Sequence, residues 1–208
     1  MSNKVRDFTN IRVFFSKNGN IKYISHLDLY RAMGRAVKRS ELPVWITEGF
    51  NPHIYITFAL PLALGIESHE ESMDLRLTQE LPMEEVAERL NAAMPPELSV
   101  TRVAFPICNA NDIAKASYEI SGCEEALKKL SDELSKPVVE ITKRTKKSVQ
   151  TLDVKPLLEW DSHGGVLTLP AGGKLNINPW NVLAGRVGEH TLNVKRIAII
   201  CQDGRNFE

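Results

Sequence analysis

Apolar and polar positions follow a similar order of patterns twice along this chain. Alternation with a period of two indicates strands, and apolar residues three or four apart indicate helices. In the first half, helices are predicted over 25–40 and 83–94, and strands over 11–17, 21–24, 44–47, 54–59, 73–78 and 99–105. In the second half, helices are predicted over 124–135 and 179–186, and strands over 116–121, 138–144, 149–154, 166–169 and 194–201.

Each half therefore approximates β-α-β-β-α-β, which is the order of the split βαβ or ferredoxin-like unit. We expect an α+β protein made of two tandem ferredoxin-like units with antiparallel sheets. Residues 1–105 are expected to form the first domain, 106–115 the linker, and 116–208 a second, degenerate ferredoxin-like domain. Asn18 and Gly19 give a tight-turn signal just before the short strand predicted over 21–24.

Composition excludes several classes of function. The 208 residues carry 26 basic and 26 acidic side chains, so any nucleic-acid role must rest on local segregation of charge. No apolar signal core or membrane-length apolar run is present, so we expect a cytoplasmic protein without membrane contact. The three cysteines lack CxxC spacing and support neither a disulfide framework, a zinc ribbon nor an iron–sulfur cluster. We expect no cofactor.

The first predicted helix has one apolar side and one basic side. On a helical wheel, Leu29, Met33 and Val37 fall on the apolar side, which predicts core packing. The opposite side, which we call the basic face, consists of Arg31, Arg35, Lys38 and Arg39. A rigid row of cations suits the phosphates of a nucleic acid, so these four residues are candidate RNA contacts. The alternative is a solvated helix side on which Asp28 pairs with Arg31.

The residues that begin this helix have a structural and a chemical interpretation. Ser25 and Asp28 have the S-x-x-D spacing of a capping box, which explains both as helix caps. His26 lies in the first turn, where the helix dipole favours a neutral imidazole that can accept a proton. His26 is therefore a candidate catalytic base, with Arg31 and Arg35 as candidates that stabilise developing phosphate charge. The alternative for His26 is a surface histidine without a partner.

Two further segments supply candidate RNA contacts. Residues 49–53, with the sequence GFNPH, have the composition of a shaped turn that contains Phe50 and His53. Phe50 and Tyr55 could stack on unpaired bases of RNA, or Phe50 could anchor the loop to the core. Lys146 and Lys147 belong to the densest basic run, which is either a phosphate contact on a hairpin tip or a solvated turn.

Metal and nucleotide sites receive little support from the sequence. If the GFNPH segment returns towards the helix start, His26 and His53 face one cleft, with Glu71 or Asp74 as a candidate third ligand. However, no pair of ligands has the close spacing of a known metal site, and we predict none. The glycine-rich segment 171–174 lacks the GxxxxGK[ST] order, so a phosphate-binding loop is rejected.

These motifs resemble a known family, the uncharacterised bacterial radical-SAM-linked proteins. The resemblance is carried by Ile24–Asp28, Arg31, Arg35, Arg39, Leu42–Pro43, Gly49–His53, Pro61–Leu62, Gly65, Ser68 and Glu71. It is thinner in the second half, and His69, Glu70 and Ser72 depart from the family pattern. In that family the domain stands alone or is fused behind a radical SAM enzyme. The chain lacks the CxxxCxxC motif of the radical enzyme itself, so the resemblance implies an accessory protein.

Three functions are consistent with these observations. The first is an RNA-binding accessory protein that works with a separately encoded radical SAM enzyme in the modification or processing of tRNA or rRNA. The second is a metal-independent RNA endonuclease in which His26 is the general base, an analogy with tandem ferredoxin-like RNA-processing enzymes at the level of the fold. The third is a protein adaptor that binds the radical enzyme and has no RNA affinity.

Overall fold

The chain folds as a mixture of sheets and a few helices. The computed structural model describes residues 8–144, 149–173 and 175–208. These residues divide into two compact units between Asn109 and Ala110, and Glu208 belongs to the first unit. The strands pair mostly antiparallel, so the predicted α+β class is confirmed. Within the described ranges, no helix is both long and apolar enough to cross a membrane.

The first unit has four strands and two α-helices. In chain order they are β1 (Thr9–Lys17), α1 (His26–Arg39), β2 (Ile56–Phe58), β3 (Glu67–Leu77), α2 (Met83–Ala93) and β4 (Leu98–Ala104). The strands lie in the order β4-β1-β3-β2, and each neighbouring pair is antiparallel. β1 is therefore an inner strand with a partner on both edges.

The core of the first unit lies between one side of this sheet and the apolar sides of both helices. Ile11, Val13 and Phe15 of β1, which alternate along the strand and so share one face of the sheet, are fully buried in this core. Leu29 and Met33 of α1 pack in the same cluster. This packing fixes which side of α1 faces solvent.

The short strand predicted over 21–24 is wrong, because Gly19–Tyr23 is a 3-10 helix. Both edges of β1 are occupied by β3 and β4, so a strand that returned from the turn at Asn18 would have no edge to pair with. The Asn18 amide instead donates to the Glu97 carbonyl, 3.1 Å away. Gly19 takes the left-handed conformation that starts the turn (φ 62°).

Two other predictions in the first unit need correction. The strands predicted over 44–47 and 54–59 reduce to isolated bridges, Val44 with Leu77 and Ile46 with Ile54, and to the three residues of β2. β3 begins at Glu67, well before the predicted start at residue 73. Its first residues are polar yet several are buried, so their alternation carries no hydrophobic signal.

The second unit contains the remaining strands and helices. They are β5 (Ile113–Ser121), α3 (Glu124–Leu134), β6 (Glu140–Arg144), β7 (Val149–Asp153), β8 (Glu159–Asp161), β9 (Val166–Pro170), α4 (Pro179–Leu183) and β10 (Asn193–Cys201). Four strands lie in the order β10-β5-β9-β8, and β6 and β7 form a separate two-stranded sheet.

The second-unit sheet also differs from the sequence prediction. The strands predicted over 138–144 and 149–154 are found as β6 and β7, which pair with each other, with Ile141 opposite Leu152, in a two-stranded sheet of their own. The place beside β9 is taken by β8, whose three residues are too few to give a periodic signal. α4 ends at Leu183 and not at residue 186, and Gly185 has a positive φ of 75° just after it.

Candidate nucleic-acid interface

The start of α1 is organised by a hydrogen-bonded pair. The Ser25 Oγ accepts a hydrogen bond from the Asp28 amide at 3.1 Å, and its hydroxyl lies 2.7 Å from Asp28 Oδ2. Ser25 has extended backbone angles, as an N-cap residue should. Both side chains therefore stabilise the start of the helix.

The basic face is exposed along its whole length. All four of its cations are exposed, while Leu29, Met33, Ala36 and Val37 on the other side are buried. Arg31, Arg35 and Lys38 follow one another at spacings of four and three residues, so they form one row on the helix surface. The row spans about 10 Å along the helix axis.

The four cations of the basic face differ in how their charge is used. Arg31 lies 3.4 Å from Asp28, but both side chains are more than half exposed, so this pair is weak. The Arg39 guanidinium donates to the Ala93 carbonyl at the end of α2. Arg35 and Lys38 make no hydrogen bond or ion pair with any residue that the structure describes. Two cations on the face are therefore available to an external anion.

His26 lies on the other side of α1 from the arginines. At 100° per residue, His26 is about 180° from Arg35 and about 140° from Arg31 around the helix axis. Its ring makes an edge contact with Phe58, with 5.1 Å between the ring centroids. The structure therefore does not bring His26, Arg31 and Arg35 together around one reacting atom.

The GFNPH segment forms the tip of a tight loop over residues 47–53, which we call the Phe50 loop. The Thr47 amide donates to the His53 carbonyl at 2.8 Å, and the Thr47 Oγ1 accepts from the His53 amide at 3.1 Å. The His53 Nδ1 lies 3.0 Å from the Thr47 hydroxyl and 2.9 Å from the Asn51 carbonyl. His53 is therefore bound within its own loop.

Phe50 is completely exposed at the tip of this loop. Gly49, just before it, has a φ of 123°, a conformation that other residues rarely adopt. The sequence left two interpretations of Phe50, base stacking and attachment of the loop to the core. The complete exposure of the ring excludes attachment to the core. An exposed phenylalanine on a hydrogen-bonded loop presents a flat apolar surface to any incoming ligand.

The base of the Phe50 loop is held by an aromatic cluster that sequence reasoning missed. The Arg76 guanidinium lies 3.9 Å from the ring centroid of Tyr55, 4.2 Å from that of Phe8 and 5.0 Å from that of Trp45. The Trp45 amide also donates to the Arg76 carbonyl at 2.7 Å. Trp45 and Tyr55 flank the loop at equal distances in the sequence. This spacing is a signal that could have indicated contact between their two rings at the base of the loop.

The two histidines have different partners among the described residues. The His26 ring contacts Phe58, whereas the His53 ring binds Thr47 and Asn51 of its own loop. Asp74, a candidate third ligand, is held by Arg12 through two hydrogen bonds of 2.7 and 2.9 Å. Across residues 8–144, 149–173 and 175–208, no group of three metal-ligating side chains converges.

The remaining sequence-predicted contacts, Lys146 and Lys147, lie outside the described residues. The backbone of β6 ends just before them at Arg144, and β7 begins just after at Val149. The structure therefore adds no position for these two lysines to the basic face or the Phe50 loop.

The chain matches the model of a known protein family. A family described as an uncharacterized protein conserved in bacteria (DUF2344) matches residues 10–177 of the chain. This span includes the basic face, the Phe50 loop and, apart from Phe8, the aromatic cluster at the base of the loop. A comparison with curated proteins gives no match.

Proposed function

Because the chain belongs to this family of uncharacterised bacterial proteins, we propose that it is an RNA-binding accessory protein that serves a separate radical SAM enzyme. The family description names no activity, so the proposal rests on the residues themselves. The observation that carries it is the exposed row on α1, in which Arg35 and Lys38 have no acidic partner among the described residues. The resemblance of the first-half motifs to radical-SAM-linked proteins supports the choice of partner.

The rigidity of α1 supports phosphate binding by this row. The apolar side of the helix is held by Leu29, Met33 and Val37, each at most 2% exposed. A helix packed in this way keeps the spacing of its exposed cations fixed, so little backbone entropy is lost when a strand of phosphates binds. Phosphate contacts of this kind position a nucleic acid without reading its sequence.

The Phe50 loop supports a preference for unpaired RNA. Stacking of a base on an exposed aromatic ring stabilises single-stranded complexes and tolerates any base. The hydrogen bonds between Thr47 and His53 and the stack around Arg76 hold the loop in shape before any ligand arrives. We assign Phe50 the stacking contact and the basic face the phosphate contacts.

We also propose that the two units are tandem ferredoxin-like domains. The order β4-β1-β3-β2 with helices after the first and third strands supports this for the first unit. The order β10-β5-β9-β8 is the corresponding arrangement in the second unit, with the β6–β7 hairpin inserted after α3 and a short α4. These two changes would make the second domain the degenerate copy.

Equilibrium RNA binding by the full chain tests the proposal. Fluorescence anisotropy with a labelled single-stranded RNA and a labelled tRNA should give saturable binding. The double variant Arg35→Gln and Lys38→Gln should weaken it by about tenfold, because two phosphate contacts are lost. A matched control, Lys128→Gln with Lys136→Gln, removes the same charge near α3 and should leave the affinity unchanged. Equal weakening in both double variants would contradict the assignment of the interface.

Two further readouts separate the proposal from its alternatives. Co-purification with a radical SAM enzyme, without RNA affinity, would replace it with the adaptor function. Cleavage of the RNA in the presence of a chelator, lost in His26→Ala, would replace it with the endonuclease function. The position of His26 against Phe58, away from the basic face, gives the endonuclease no structural support.

A further inference from the structure

A cluster of reactive side chains in the second unit lies outside the proposed RNA interface. Cys123 is exposed at the N-cap position of α3, where its side chain makes no capping hydrogen bond, and its Sγ lies 3.6 Å from the His190 Nδ1. The other ring nitrogen of His190 lies 3.5 Å from the Glu125 Oε1 and 3.3 Å from the Lys129 Nζ. The imidazole is thus placed between a thiol on one side and a charged pair on the other.

This order of groups is the one that activates a nucleophile. A base within reach of the thiol takes its proton, and a third group on the far nitrogen orients the base. The Lys129 Nζ donates a 2.8 Å hydrogen bond to Glu125, which holds the pKa of that carboxyl below its ordinary value. Glu125 therefore stays ionised. Of the two charged groups at the His190 Nε2, it is the one that can accept a hydrogen bond from the Nε2–H, in the tautomer that leaves Nδ1 free to accept the thiol proton.

The position of Cys123 adds to the effect of His190. The first amides of α3, an eleven-residue helix, carry the partial positive charge of the helix N-terminus, which attracts the negative charge of an attacking sulfur. His190 and the start of α3 therefore both lie beside this side chain.

Neither of the other cysteines has these features. Cys108 and Cys201 are 7% and 3% exposed, so reagents reach them poorly in the folded chain. In the second unit, Cys201 pairs with Ile113 on β5, whereas Cys123 lies beyond Ser121 at the other end of that strand. The separation is roughly 25 Å, far beyond the reach of a disulfide. Cys201 therefore cannot form a disulfide with Cys123, and sulfur exchange at Cys123 requires a molecule from outside the unit.

We propose that Cys123 is a reactive thiol that exchanges with low-molecular-weight disulfides and so carries a mixed disulfide. His190 accepts the thiol proton, and the thiolate attacks one sulfur of the disulfide. The new Cys123 S–S bond forms as the old S–S bond breaks, and the departing thiolate leaves with the electron pair and takes up the proton. The disulfide is the oxidant, and a free thiol reverses the reaction by the same exchange.

Reaction of the folded full chain with oxidised glutathione and with dithiodipyridine tests this site. Mass spectrometry should find one glutathione adduct per chain, on Cys123, and none in Cys123→Ser. The rate with dithiodipyridine near pH 6.5 should fall by about tenfold or more in His190→Gln, because the variant has no base beside the thiol to accept its proton. The neighbouring variant Glu189→Gln is the matched control and should react at the wild-type rate.

Two results would overturn the proposal. One is a His190→Gln variant that folds and reacts with the rate and pH profile of the wild type. The other needs no variant at all: a wild-type rate that rises with pH as the rate of a small free thiol does, with no reactivity left near pH 6.5. Adducts on Cys108 or Cys201 in the folded chain would also count against it.

Discussion

At the scale of single residues, position around the axis of α1 separates side chains that lie together in the sequence. His26 and Arg31 belong to one motif, yet the first turns its ring onto Phe58 and the second faces solvent. Ser25 and Asp28 bind each other at the helix start. The segment that reads as a catalytic signature therefore divides into a cap, an aromatic contact and one end of a cationic row.

Phe50 gives the first prediction at this scale. Phe50→Ala should weaken binding of single-stranded RNA by about fivefold to a hundredfold, which is the range of one lost base stack. The melting temperature should stay unchanged, because the ring is completely exposed. Anisotropy titration and thermal melting measure the two effects. Phe105→Ala removes another exposed phenylalanine of the first unit, outside the Phe50 loop, and an equal loss of affinity there would contradict the stacking role.

Arg12 gives the second prediction at the scale of single residues. This side chain is 2% exposed, forms a bidentate pair with Asp74 and donates to the carbonyls of Cys108 and Glu208. Arg12→Gln should lower the free energy of unfolding by about 3 kcal/mol, because it leaves the partly buried Asp74 carboxylate and the Cys108 carbonyl without this donor. Urea denaturation measures the change. Arg31→Gln breaks a pair that is exposed on both sides and should cost less than about 0.5 kcal/mol; equal costs would refute the account.

At the scale of secondary-structure elements, the sequence predicted what depends on local periodicity. The bounds of α1 and α2 follow from their caps and their apolar spacing, and both helices are found where they were expected. The 3-10 helix Gly19–Tyr23 was missed because the edges of β1 are filled by strands distant in sequence. The aromatic cluster around Arg76 was missed because its members come from four segments that are distant in the sequence.

The β6–β7 hairpin provides a pH-dependent prediction at this scale. Asp153 Oδ1 accepts hydrogen bonds from the amides of Lys155 (3.0 Å) and Val139 (2.9 Å), and these bonds lower the pKa of the Asp153 carboxyl. A lowered pKa means that the contribution of Asp153 to stability is present above the ordinary value of 3.8 and is lost as pH falls through the folded value.

This titration can be followed at the two amides that bind the carboxylate. In an NMR titration, the amide shifts of Val139 and Lys155 should change together, with a midpoint below pH 3.8. In Asp153→Asn this transition should be absent. A midpoint at or above the ordinary value would show that the two hydrogen bonds do not stabilise the ionised carboxylate.

At the scale of the whole molecule, the charges cancel: 26 basic and 26 acidic side chains leave no net attraction for a polyanion. RNA affinity must therefore come from segregated charge, and the basic face is such a region. The family match to residues 10–177 covers that face but assigns no activity to it. Neither the substrate RNA nor the contact with a radical enzyme follows from local patterns, because both depend on surfaces of a partner.

The salt dependence of RNA binding tests the central claim most directly. The logarithm of affinity should fall linearly with the logarithm of salt concentration, with about 0.7 units of slope for each phosphate contact to a single strand. We predict that Arg35→Gln with Lys38→Gln reduces this slope by about 1.4, while Lys128→Gln with Lys136→Gln leaves it unchanged. An identical slope in the wild type and the Arg35/Lys38 variant would contradict an RNA interface on α1.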